Sequence, residues 1–261
     1  MISLAAGTVL DAAPARILEA ASAAGYDAAG LRLDPGSVGL AEAERLRRQA
    51  DDLGLRLLDL EVVRLGPDRD PDHQRRLLDL ADALGARFLL TVSEHRDDSA
   101  TASDLSRLYE ASRNHTVRIA LEFMRFTGVP TLAAALEVLE LTGAVDAVVL
   151  VDALHLHRAG ELPEDLAGVP AGRIGYVQLC DAPARAPQGL QALSWEARHD
   201  RLAPGEGDLP LAELLARVHP EVPLSVEVQS DRLAARWDPA SRAGHLLAST
   251  RRLLAAGGTT I

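Results

Sequence analysis

Eight short apolar runs, each separated from the next by a longer segment of helical periodicity, constrain the fold of this 261-residue chain most strongly. The runs lie at Ile2–Ala6, Ala28–Leu33, Leu55–Val63, Arg87–Val92, Val117–Phe123, Ala147–Asp152, Ile174–Cys180 and Pro223–Val228. Amphipathic segments lie between and after them, at Ala13–Ala24, Leu40–Leu53, Pro71–Leu84, Leu105–Asn114, Leu132–Thr142, Leu211–His219 and Pro239–Ala256. Strands that alternate with helices join in parallel through βαβ units. An open doubly wound sheet and a closed barrel both satisfy that pattern. The first turn, Leu4-Ala5-Ala6-Gly7-Thr8-Val9, is no GxGxxG loop, and eight units in about 250 residues are what one α/β barrel needs. The expected architecture is therefore α/β, a (β/α)8 TIM barrel, with residues 1–261 as a single domain. Two stretches resist assignment: Leu154–Gly172, with its prolines and glycines, and Asp181–Pro210, expected to be a structured loop over the active face.

Composition removes several functions. All 27 cationic side chains are arginine, so no lysine is available for a Schiff base. With 38 acidic residues the formal net charge is −11, which disfavours binding to a nucleic-acid backbone. Cys180 is the single cysteine; it cannot form an intrachain disulfide or a cysteine zinc cluster and is expected to be a small buried packing residue. No run approaches the roughly 20 apolar residues that span a bilayer, and the first residues lack a basic, signal-like region. The expectation is a cytoplasmic protein acting on a small molecule, with neither membrane nor nucleic acid as partner.

In a barrel, chemistry is placed at the C-terminal ends of the strands. Four runs carry a polar residue there: Glu122 in Leu121-Glu122-Phe123, Asp152 in Leu150-Val151-Asp152, Gln178 in Val177-Gln178-Leu179 and Glu227 in Val226-Glu227-Val228. Carboxylates among Val and Leu require a partner, because an unpaired buried charge is very costly. These strands hold too few arginines to neutralise three acids. A divalent cation with oxygen ligands from Glu122, Asp152, Gln178 and Glu227 resolves the charge, and a set rich in hard oxygens suits Mn2+ or Mg2+ best, with Zn2+ and Co2+ as further candidates.

These residues resemble the xylose isomerase-like sugar phosphate isomerase/epimerase family. The resemblance runs through nearly the whole chain: Ser3-Leu4-Ala5-Ala6-Gly7-Thr8, Gly25-Tyr26-Asp27 to Gly30-Leu31-Arg32, Leu121-Glu122-Phe123, Val151-Asp152-Ala153-Leu154-His155, Val177-Gln178-Leu179-Cys180-Asp181, Pro204-Gly205-Glu206-Gly207-Asp208 and Val226-Glu227-Val228. It implies a metal held by Glu122, Asp152, Gln178 and Glu227, although the family usually has histidine where this chain has Gln178. It implies Glu122 and Glu227 as the catalytic acid/base pair, and His155, three residues past the aspartate, as a substrate ligand. Arg185 is a second candidate for substrate, or else a solvated loop arginine. Glu206 is a third, or else a turn residue. Glu61, Glu94 and His95 end strands three and four and are candidates for the mouth of the site.

The implied activity is metal-dependent isomerisation or epimerisation of a small polyhydroxylated substrate through an enediolate. Two alternatives share the scaffold: a lyase that dehydrates a keto-inositol or cyclic hydroxy acid, and a barrel that binds without turnover. An abasic-site endonuclease, which shares the fold, needs more histidines than these strand ends offer. Relatives are often dimers or tetramers, so a homo-oligomer is the expectation.

Overall fold

The structure, a computed structural model, describes residues 1–257. Eight strands, β1 (Ile2–Leu4), β2 (Ala28–Arg32), β3 (Arg56–Leu65), β4 (Phe88–Ser93), β5 (Arg118–Glu122), β6 (Val148–Asp152), β7 (Ile174–Leu179) and β8 (Leu224–Val226), close in sequence order into a barrel. Each pairs in parallel with both neighbours, and β8 returns to β1 through Ile2–Leu224, Ser3–Ser225 and Leu4–Val226. The chain is a (β/α)8 barrel.

Strand periodicity fixes which side chains fill it. Phe88, Leu90, Ala120, Val148, Leu150 and Tyr176 pack together inside the barrel, while Leu89, Ile119, Val149, Val151 and Val177 belong to the layer between sheet and helices. Alternate residues of a strand face the same side. The inward positions therefore run Val148, Leu150, Asp152 on β6, Ala120, Glu122 on β5 and Tyr176, Gln178 on β7. The same parity that buries the apolar filling carries the polar residues to the inner rim at the C-terminal ends.

The helices α1 (Pro14–Ala24), α2 (Leu40–Asp52), α3 (Pro71–Leu84) and α5 (Leu132–Thr142) lie where periodicity places them, whereas α4 (Asp98–Ser112) begins seven residues before the expected Leu105. Asp70, Asp97 and Thr131 cap three of them by accepting from backbone N–H groups of the first turn. The two stretches that resisted assignment are more helical than expected. α6 (Ala153–Ala159) starts directly on Asp152, and α7 (Leu190–His199) lies inside the expected loop. The prolines at 183 and 187 precede α7 rather than interrupt it, so local breakers concealed a helix they only delimit. α8 (Leu211–Arg217), the short α9 (Asp231–Arg236) and α10 (Pro239–Ala256) complete the chain.

The segment carrying α7 is fastened at two places. Arg158 of α6, itself buried, donates from Nε and Nη2 to Glu196 at 2.8 Å each and from Nη2 to the Pro183 carbonyl at 2.8 Å. Asp181, just past β7 and buried, accepts from the backbone N–H groups of Ala182, Gly205 and Leu209 at 2.8–3.0 Å. No described helix is long and apolar enough to cross a membrane.

Candidate active site

The four strand-end residues sit at or next to the ends of four neighbouring strands, β5 to β8. Asp152 pairs in register with Gln178, and Gln178 with Ser225, two residues before Glu227. All four are buried. Asp152 also caps α6, its Oδ1 accepting from the His155 N–H at 3.0 Å. One turn of that helix then carries the His155 ring to the site, with Nε2 3.8 Å from Glu122 Oε1. Glu122, Asp152 and His155 each offer a donor atom within 4.8 Å of the others. Glu227 turns towards Arg201, 3.2 Å away, and accepts from Gln229 Nε2 at 3.4 Å. Gln178 Oε1 and Nε2 are both buried with no partner among the described residues.

Arg201 supplies a counter-charge that the ends of β5 to β8 themselves lack. It comes from the segment after α7, not from a strand, and is almost wholly buried. Its Nη1 donates to Asp152 Oδ2 at 2.6 Å and approaches the Glu227 carbonyl and Cys180 Sγ at 3.2 and 3.4 Å. Its Nε donates to the Ala197 carbonyl at 2.7 Å, and its Nη2 lies 3.4 Å from His155 Nε2. Cys180 is buried, as expected, and serves as an acceptor in this network. The remaining signal in the sequence was indirect: an arginine three residues after Arg198 in a stretch that looked irregular.

One guanidinium does not satisfy the site. Burial, then the neighbouring Glu227 and Asp152 charges, push Glu122 well above the usual carboxylate range. Burial raises Glu227 to about 7, although Arg201 opposes the rise. Against its own burial, Asp152 is held below its ordinary value by Arg201 and His155. Burial lowers His155 to about 4, so its ring is neutral at physiological pH. Surplus carboxylate charge, a neutral imidazole and an amide oxygen without a donor form a site short of a cation. The residues present therefore fit a divalent ion, with Gln178 Oε1 as the atom that protein partners leave free.

Above this acidic floor lies a cavity of about 300 Å3. Glu122, His155, Arg201 and Glu227 line it together with Glu61, Phe126 and three further arginines, Arg32, Arg64 and Arg198. None of those three was singled out from sequence for this role. Arg64 lies 3.6 Å from Glu94, whose carboxylate Arg69 already holds at 2.5 Å. Arg198 stands over the Phe126 ring, 5.3 Å from its centroid, with no carboxylate within 4.0 Å among the described residues.

The other sequence candidates lie elsewhere. Arg185 is exposed and does not line the cavity. Glu206 is exposed too, 3.3 Å from His245 and 4.0 Å from Arg232. His95 pairs with Asp104 at 2.7 Å and Glu94 with Arg69, both outside the cavity wall, whereas Glu61 is wholly buried within that wall. Gly7, part of the opening segment, explains itself here. A Cβ at that position would stand 2.4 Å from Glu227 Oε1, so only glycine leaves that carboxylate its place.

The chain is 30% identical over 236 residues, 84% of its length, to the 3-dehydroshikimate dehydratase of Pseudomonas aeruginosa, and 26% identical over 234 residues to that of Pseudomonas putida. It spans 36% of the length of these curated relatives. Among solved structures, a xylose isomerase-like TIM barrel/4-hydroxyphenylpyruvate dioxygenase fusion protein matches all of this chain with 44% of its own, at 25% identity and a TM-score of 0.81. An IOLI protein with a bound zinc atom matches at a TM-score of 0.82 and 18% identity, over 98% of both chains. The profile of one family covers residues 18–253, and by that match the chain belongs to the xylose isomerase-like TIM barrel family.

Proposed function

We propose that this barrel is a divalent-metal-dependent lyase that removes water from a small cyclic hydroxy acid carrying a ketone, with 3-dehydroshikimate as the first compound to test. The observation that carries this reading is the polarity of the cavity. Its floor is acidic and suited to a cation, while Arg64 and Arg198 at its wall lack full counter-ions in a molecule of net charge −11. Guanidinium groups short of a carboxylate recognise one supplied by a ligand. A neutral sugar would leave them as they are. The dehydratase relatives support the same choice.

Glu122, Asp152, Gln178 and Glu227 would hold the ion, with Mn2+ or Mg2+ matching their oxygens best. When bound, it would stabilise negative charge developing on the substrate's ketone oxygen and so acidify the neighbouring C–H. Glu122 and Glu227 reach the cavity from strands three apart, so one accepts the proton from carbon while the other, carrying a proton, delivers it to the departing hydroxyl. The C–H pair becomes the new C=C bond, the C–O pair leaves with the hydroxyl, and water is released. His155, neutral and edge-on to Phe126 at 5.6 Å, offers a hydrogen bond to a substrate oxygen without adding charge. Arg64 and Arg198 hold the carboxylate and fix the ring. We further take residues 1–261 as one domain.

Incubation with 3-dehydroshikimate and Mn2+ tests the reading through the ultraviolet absorbance of the conjugated product. Glu122→Gln and Glu227→Gln should each lower kcat by about a hundredfold or more, the size expected of a lost acid or base. The same two glutamates also suit isomerisation or epimerisation. Exchange of substrate C–H for deuterium from D2O without absorbance, on a ketose such as D-fructose, would replace dehydration by that activity. Neither signal in excess Mn2+ would leave a binding protein.

A further inference from the structure

Arg32, the last residue of β2, lies in register with Glu61 in the middle of β3, across the ring from β6 and β7. Arg32 Nη2 donates to Glu61 Oε2 at 2.6 Å. The Glu61 side chain is fully buried, whereas that of Arg32 is 39% exposed, and both line the cavity with Glu122, His155 and Glu227. Glu61 Oε1 has no partner among the described residues. Arg32 likewise has N–H groups beyond the one that Glu61 receives. A buried carboxylate oxygen left without a donor is costly, so its retention points to a group that arrives and donates to it.

The charge of the pair says which group. Arg32 and Glu61 sum to zero, unlike Arg64 and Arg198. A neutral pair has no preference for an anion, and its free acceptor takes a donor, which on a hydroxylated carbon framework is an O–H. Its free N–H groups require a neighbouring oxygen. Adjacent hydroxyls on one carbon framework supply both at the right separation, one donating to Glu61 Oε1 and the next accepting from Arg32.

We propose that Arg32 and Glu61 form a subsite for a vicinal diol of the substrate. Its place beside a carboxylate subsite rests on the hydroxy-acid reading above; the diol assignment itself rests on the pair alone. The two arginine sets then divide the work. The under-neutralised pair anchors the carboxylate, and the neutralised one counts hydroxyls. Asp59, two residues before Glu61, accepts from the Tyr176 hydroxyl through Oδ2 at 2.8 Å, and its Oδ1, an acceptor like Glu61 Oε1, supplies no donor to the pair.

Calorimetric titration of the Mn2+-loaded chain with three probes tests the subsite: shikimate, with contiguous ring hydroxyls; cyclohex-1-ene-1-carboxylate, with none; and D-fructose, a neutral polyol. Glu61→Gln should weaken shikimate by about tenfold, the value of one hydrogen bond to a charged group, and leave the unhydroxylated acid within about twofold. Arg32→Gln, at a partly exposed position, should do the same and serves if Glu61→Gln fails to fold. Equal weakening of both acids, or none for shikimate, overturns the subsite. If the wild type binds neither acid, the hydroxy-acid reading falls and D-fructose decides the diol. The subsite then stands only if fructose binds and Glu61→Gln weakens it about tenfold.

Discussion

At the scale of single residues, Arg201 and Gly7 have the sharpest consequences. Arg201→Met removes the one guanidinium between Asp152 and Glu227 and leaves two buried carboxylates facing each other. Breaking a buried ion pair in this way costs about 3–5 kcal/mol, so urea denaturation should show a loss of that size. Excess Mn2+ should return part of it, because the added cation meets the same charges. Gly7→Ala acts differently. The added methyl meets the far end of a flexible side chain, so the fold should hold while Glu227 is displaced. Unchanged melting with kcat down at least about tenfold is the expected result, the size of effect that misplacing a reacting group produces. The strand-end residues were legible in the sequence because Glu122, Asp152, Gln178 and Glu227 interrupt runs that are otherwise apolar. Arg201 was not, since nothing in the sequence of a loop says which of its arginines turns inward. Arg64 escaped for a related reason: it lies in a strand extended two residues beyond the apolar run at Leu55–Val63.

At the scale of elements, the barrel was legible because period-two strands and period-3.6 helices alternate with few ambiguities. What escaped was short or set among breakers: α6 with seven residues, α9 with six, and α7 behind Pro183 and Pro187. α7 carries Arg198 and leads into Arg201, so its anchorage matters to the cavity. Arg158→Met would abolish both bonds to Glu196 and strand a buried carboxylate. Hydrogen exchange should then quicken across Leu190–His199, with KM rising more than kcat falls. Asp82, on α3, offers a pH test remote from the site. Its carboxylate accepts from the Thr116 N–H and hydroxyl at 2.8 and 3.0 Å, and the backbone bond holds it below its ordinary value. A depressed acid stabilises the fold above its unfolded pKa and loses that contribution as pH falls through the folded one. Asp82→Asn should therefore cost about 0.5 kcal/mol near neutrality, once solvent screening is allowed for, and almost nothing in strong acid.

At the scale of the whole molecule, charge is arranged by depth. The surface carries the acidic excess, the cavity wall holds arginines, and the floor returns to carboxylates. On the proposed reading an anionic substrate would approach through a repulsive exterior towards a local attraction, and added salt would screen the exterior first. Moderate salt should raise the melting temperature, read by calorimetry, because the self-repulsion of a chain of net charge −11 is relieved. The buried Arg201 has one more consequence. It gives the carboxylates a resident counter-charge supplied by the polypeptide itself, so the barrel should reach its native state without a metal. If the proposed metal is bound, its uptake and folding become separable events, and a chelator should leave a folded barrel able to take up Mn2+ again, unlike domains whose metal is the condition of their folding.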